Sequence, residues 1–182
     1  MQSSKLMELT KVSLCVALLC VSAFIVIPIP FTPVMITGQT LIVNLVALVL
    51  RPAQSAAAIA VYLLLGVCGI PVFSGGTAGL GHLLGPTGGF FFGFLAAAPL
   101  ISWLKGPNNR LHRYLIATIA VGLPVIDLLG AAYFSIVQHV GIGAALMGAV
   151  VPFLVGDVCK CAAAALIAVP LNKALARQKA AA

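Results

Sequence analysis

Acidic side chains are almost missing from this chain: Glu8, Asp127 and Asp157 are the only three in 182 residues. Charged residues of both signs make up 7%, against about 25% in an ordinary soluble domain; apolar residues reach 62% and mean hydropathy is +1.19. So few charges cannot cover a soluble globular surface. No long polar segment remains for a second domain either, so residues 1–182 read as one integral-membrane domain surrounded by lipid. No ATPase motif is present, and any uphill movement of a solute must draw its energy from a partner or an ion gradient. The five cysteines (Cys15, Cys20, Cys68, Cys159 and Cys161) all lie in apolar stretches, with no zinc or redox spacing. They read as small buried hydrophobes. No metal or cofactor is called for.

What charge there is carries information by its position. The net charge of +7 would suit nucleic acid or another acidic partner. Yet Lys5 and Lys11 precede the first apolar run, Arg51 separates the second from the third, and Lys105, Arg110 and Arg113 separate the fourth from the fifth. Lys173, Arg177 and Lys179 follow the last run, and only Lys160 breaks the alternation. Basic residues at alternate ends of successive spans are the positive-inside pattern. The fold expected is an all-α bundle of six transmembrane helices with both termini cytoplasmic. The spans fall at about 12–29, 39–50, 54–69, 86–104, 114–137 and 144–171. The lysines before the first apolar run also suit a signal peptide. No mature soluble domain follows, so the run is read as the first span.

Spans two and three are shorter than the ~20 residues a helix needs to cross, so their outer connections must dip into the membrane. One connection is Pro28-Ile29-Pro30-Phe31-Thr32-Pro33-Val34-Met35-Ile36-Thr37-Gly38-Gln39, whose prolines bar continuous helix. The other runs from Gly66 to Gly89 and holds nine glycines. Irregular backbone at membrane depth survives only where protein covers it or where it lines a cavity. Two apolar loops on the outer side describe a lidded pocket open to the exterior. No internal repeat supports an inverted-repeat transporter.

The chemistry centres on Gly156-Asp157-Val158-Cys159-Lys160, inside an apolar run. Residues i and i+3 share a helix face, and each charge at mid-bilayer costs roughly 2.5–3.5 kcal/mol. The pair is either a structural pin for its helix or the polar heart of a ligand site, and intramembrane charge favours the site. Asp127, near the middle of the fifth span, either approaches Lys160 from a second helix or lines the same cavity. Of the histidines, His112 belongs to a basic loop, His139 to an interface and His82 to the glycine-rich loop. Ser74 with His82 invites an intramembrane serine hydrolase, but no third group orients the base. Gly79-Leu80-Gly81-His82-Leu83-Leu84-Gly85 is one residue longer than a dinucleotide fingerprint and lacks its strand–helix setting. Ser13 and Ala17 form a small-residue face on the first span, the type that lets helices approach closely.

These residues also resemble a known family. Gly69-Ile70-Pro71-Val72-Phe73-Ser74-Gly75-Gly76, then Leu84-Gly85-Pro86-Thr87-Gly88-Gly89-Phe90 with Gly93-Phe94, is similar to the biotin transporter BioY family. So are Pro152-Phe153-Leu154-Val155-Gly156-Asp157-Val158-Cys159-Lys160 and the loop Ile27–Pro33, and the likeness covers roughly residues 8–172. The resemblance implies the substrate-binding S component of an energy-coupling factor (ECF) importer, a multi-pass protein of the prokaryotic cell membrane and not an enzyme. It implies a pocket near the outer surface and docking onto a T subunit that carries two ATPase subunits, with Ser13 and Ala17 as a loose match to the docking face. Biotin fits the residues chemically. Asp157 can accept from its ureido N–H and Lys160 can donate to its ureido carbonyl. Phe31, Val72, Phe73, Phe90 and Tyr133 can wall its apolar body, while Gln39 and the backbone at Gly75 and Gly76 can meet its carboxylate. Asp127 stands where the resemblance implies an uncharged residue. An autonomous secondary transporter or a channel for another small solute is the alternative reading.

Overall fold

Helix forms wherever the apolar runs are free of clustered proline and glycine, and it stops where those residues gather. The computed structural model describes residues 2–28, 30, 33–107 and 109–181. Helix α1 is Gln2–Ser22, and strands β1 (Val26–Ile27) and β2 (Ile36–Thr37) form a small antiparallel hairpin that pairs Val26 with Thr37 and Ile27 with Ile36. The first apolar run was expected to stay helical to residue 29, but it turns into β1 instead. Pro28, Pro30 and Pro33 cannot donate to helical carbonyls, and strand pairing satisfies the backbone on either side of them.

Helices α2 (Gln39–Val49) and α3 (Pro52–Val67) follow, joined by a tight corner with Pro52 in the first turn of α3. The glycine-rich connection holds one short helix, α4 (Leu80–Leu83), before α5 (Gly88–Leu104). Helix α6 (Leu111–Leu115), a π-helical segment (Ile116–Gly122) and α7 (Leu123–Val137) run end to end. Two helices complete the chain, α8 (Ile142–Ala149) and α9 (Leu154–Ala181). The sixth span, expected as one helix over 144–171, is therefore broken at residues 150–153. Pro152 has no N–H to continue the ladder. The consequence for function is large: Asp157 lies in the first turn of α9 rather than mid-helix, where the helix dipole favours a carboxylate. Two helical stretches, Leu111–Val137 and Leu154–Gln178, are long and apolar enough to cross a membrane, while Gln39–Val49, Pro52–Val67 and Gly88–Leu104 are apolar but shorter.

Small residues let α5 and α7 approach backbone to backbone. A Cβ added at Gly93 would lie 2.9 Å from the Ile126 Cα, and one at Gly89 would lie 2.7 Å from the Leu129 carbonyl oxygen. Gly89 and Gly93 are four apart, the small-xxx-small spacing of close membrane-helix contacts. Gly130 answers from α7, where the Phe90 ring covers it. This contact fixes Ile126, and with it the neighbouring Asp127.

At the other end of the bundle, polar side chains close off the last carbonyls of α2, which an apolar setting would otherwise leave unpaired. Lys105 Nζ donates to the carbonyls of Ala47 (3.1 Å), Leu48 (2.9 Å) and Leu50, and Ser102 Oγ donates to Leu50 at 2.6 Å. Asn172 Nδ2 donates to the Leu48 carbonyl (2.9 Å) and to the Tyr114 hydroxyl (2.8 Å), which donates to Asn109 Oδ1. One network thus joins α2, α5, α6 and α9.

The helix contact gives a direct test. Gly93→Val should destabilise the protein by about 1–3 kcal/mol through overpacking, read as a lower melting temperature in detergent. Gly148→Ala on α8, with no heavy atom near its added Cβ, should be neutral or mildly stabilising. Equal melting for Gly93→Val and the unaltered protein would contradict the close contact.

Candidate functional site

Opposite the Lys105 network, the helix ends, the hairpin and the glycine-rich loop surround a cavity of about 300 Å³, at the small end of the range for small-molecule sites. Asp157 and Lys160 line it from α9, Asp127 and Ile126 from α7, and Phe90, Phe91 and Phe94 from α5. Gln39 and Thr40 enter from the start of α2, and Val34, Met35, Ile36 and Thr37 from the hairpin. Ser74, Thr77, His82 and Thr87 close it from the loop, and Ala149 and Phe153 from the break before α9.

The charged end is built on α9. Lys160 Nζ lies 2.9 Å from Asp157 Oδ1, with side-chain exposures of 18% and 11%. The Asp157 amide donates to the Phe153 carbonyl at 2.9 Å, so the carboxylate is held at the helix start. Asp127 is 9% exposed and faces the same cavity as Asp157. Of the two positions open to Asp127, the structure takes the cavity wall. Among the described residues it forms no ion pair with Lys160.

The opposite end is neutral. Ser74 Oγ donates to Gln39 Oε1 at 2.7 Å, Gln39 Nε2 donates to the Tyr62 hydroxyl, and Tyr62 donates to the Val72 carbonyl at 2.9 Å. This chain of bonds begins and ends on the loop. It ties residues 72–74 to α2 and α3, and both ends of the Gln39 amide are used in doing so. His82 meets the hydroxyls of Thr77 (3.0 Å) and Thr87 (3.5 Å) and stacks on Phe73. Burial pushes its imidazole below the ordinary value, which keeps the ring neutral at pH 7. Ser74 and His82 thus have separate partners, and the geometry offers no nucleophile–base pair.

Several residues expected at the site serve the lid around it. Phe73 is fully buried, its ring occupying the space a Cβ on Gly66 would need, and it packs on Tyr62 and Phe91. The Gly75 amide donates to the Ala23 carbonyl (2.9 Å) and the Gly76 amide to the Phe73 carbonyl (2.9 Å), so neither N–H is turned toward a ligand. Both glycines have positive φ (74° and 75°), which suits a turn that side chains resist. Val72 is buried at the loop base. Tyr133 reaches the Leu84 carbonyl at 3.2 Å from α7 and packs over Gly88 and Gly89. Phe31 lies outside the described residues. Ser13 and Ala17 are exposed on the outer face of α1, away from the cavity. Phe91 and Phe94, which sequence reading passed over, are spaced so that α5 turns them inward with Phe90. Thr40 follows Gln39 into the cavity at the first turn of α2.

The profile described as the BioY family matches residues 1–177. The chain is 38% identical to the biotin transporter BioY2 of Lactococcus lactis subsp. cremoris over 177 residues, which cover 96% of this chain and 95% of that protein. It is 39% identical to the biotin transporter BioY of Thermotoga maritima over 166 residues, covering 91% and 96%. A crystal structure of the S-component for biotin from an ECF-type ABC transporter superposes with a TM-score of 0.87 at 28% identity, covering 95% of this chain and 94% of that one. The chain belongs to the BioY family.

His82 gives the site a pH signature. Its folded value lies below the unfolded one, so the unfolded chain binds the extra proton and stability falls as pH drops below about 6.5. His82→Gln should flatten that part of the melting curve between pH 7 and 5. An unchanged slope would place the His82 ring in water.

Proposed function

We propose that this BioY-family chain binds biotin in the cavity and serves as the substrate-specificity (S) component of an ECF-type importer. It is a membrane transport protein and not an enzyme. The observation that carries the reading is the Asp157–Lys160 pair at 2.9 Å on the wall of the cavity, beside the aromatic side chains of α5. One acceptor and one donor stand side by side, as the N–H and carbonyl of a ureido ring require. Phe90, Phe91 and Phe94 supply the apolar surface for the bicyclic body. The ligand's carboxylate turns away from Asp127 and Asp157 toward the neutral hydroxyls of Thr37, Thr77 and Thr87. Biotin is the transported ligand, and no cofactor takes part.

The proposed setting is the plasma membrane of a prokaryote. The whole chain acts as one six-span domain with both termini cytoplasmic and the cavity facing outward. The T subunit and the ATPase subunits are the proposed partners, docked through the exposed small face at Ser13 and Ala17.

Binding should depend on the pair. Asp157→Asn halves the acceptor capacity and leaves Lys160 without a counter-charge. Hydrogen bonds to charged groups contribute about 1.5–3 kcal/mol, so biotin affinity should fall roughly 10- to 150-fold in titration calorimetry. Lys160→Met should weaken it similarly. The double variant should melt higher than either single one, because no unpaired charge remains, yet should not regain affinity. Near-normal affinity in the double variant would remove the pair from the site.

Topology and docking have separate tests. In a cysteine-free background, cysteines at Asn108 and Thr77 should differ in labelling by an impermeant maleimide on whole cells, with only Thr77 reactive. Equal labelling would overturn the six-span arrangement. Ala17→Trp should abolish co-purification with the T subunit while biotin binding persists, and unimpaired co-purification would exclude this face.

A further inference from the structure

Asp127 is the one acidic group in the cavity that the Asp157–Lys160 pair does not account for. It is 91% buried by its 9% exposure, it lines the cavity beside Ile126, and among the described residues neither oxygen has a hydrogen-bond or ion-pair partner. Its oxygens open into the cavity rather than being sealed in the protein; a carboxylate turned into a mostly enclosed site without protein donors is costly, and buried polar groups as a rule find partners. Here the partner must come from whatever fills the cavity. The position is held firmly: Ile126 packs against Gly93 where α5 and α7 come so close that an added Cβ at Gly93 would lie 2.9 Å from the Ile126 Cα. The π-helical segment that precedes α7 resets the helix phase just before it, and such segments gather at functional sites.

The chemistry of a cyclic urea states what such a carboxylate is for. In a five-membered ureido ring the two N–H bonds flank the carbonyl and diverge, so one carboxylate can accept from only one of them. Full satisfaction needs two separated acceptors and one donor. The cavity carries that set in Asp157, Asp127 and Lys160, whose ammonium keeps two N–H groups beyond the one given to Asp157. We infer that Asp127 is a specificity-determining residue whose carboxylate accepts the second ureido N–H of the ligand. The inference rests on biotin as the ligand. It makes the site selective for a cyclic urea with both nitrogens unsubstituted.

The test is calorimetric titration of the full-length protein with biotin and with the two isomers methylated on one or the other ureido nitrogen. The unaltered protein should bind biotin and lose at least about tenfold with each isomer. Asp127→Leu, which keeps the branched side-chain skeleton without any acceptor, should bind biotin roughly 10- to 150-fold more weakly. It should also become indifferent to methylation at one of the two nitrogens. Asp127→Asn, which keeps one acceptor oxygen, should recover part of the loss. Biotin affinity in Asp127→Leu equal to that of the unaltered protein would overturn the role. So would a full penalty for both methylations in that variant. If Asp127→Leu does not fold, the unaltered protein still decides: one isomer binding as well as biotin would mean that only one N–H is engaged. Failure of the unaltered protein to bind biotin at all would instead overturn the biotin reading.

Discussion

A charge inside an apolar bundle is costly unless something of opposite sign or a ring of donors accompanies it. That constraint organises this molecule. Lys160 and Asp157 neutralise each other across 2.9 Å at the start of α9, where the open end of the helix also favours the carboxylate. The break at residues 150–153 makes this possible, because it converts the middle of an apolar run into a helix N-terminus. The surrounding elements then complete the enclosure. Aromatic side chains of α5 wall it, the hairpin and α2 flank it, and the glycine-rich loop closes over it.

The loop is a lid made rigid from beneath. Its glycines supply turns and close approach, while Phe73 and the Ser74–Gln39–Tyr62–Val72 chain of bonds anchor it to α2 and α3. The cavity is therefore lined by side chains that the loop positions, while the amides of Gly75 and Gly76 are spent within the protein. Polar satisfaction at the far end, through Lys105, Ser102 and Asn172, lets α2 end inside apolar surroundings. The two ends serve different purposes. One seals the backbone, and the other keeps polar capacity in reserve for a solute.

Much of this could be read from residue types and spacing. The i,i+3 relation of Asp157 and Lys160 placed both on one face, and proline and glycine density marked the two loops. The family resemblance reached the same segments, and the family is confirmed by matches spanning the chain. What could not be read depends on register and rotation. An apolar run around Pro152 gives no periodic sign of where helix stops, so the α8–α9 break was missed. Phe73 and Tyr133 are large aromatics in the right segments, and only packing reveals that they fill space at Gly66 and over Gly88–Gly89. Asp127 could face a neighbour or a cavity with equal sense in sequence, since helix rotation is set by packing. The Gly89–Gly93 contact decides it.

The central claim is that the charged end of the cavity recognises a ureido ring. Saturation binding of tritiated biotin to the purified protein tests it most directly, with desthiobiotin, thiamine and riboflavin as competitors. Saturable binding displaced by desthiobiotin, which keeps the ureido ring, and untouched by the other two is the expected result. Displacement by thiamine or riboflavin, or no saturable binding, would contradict it.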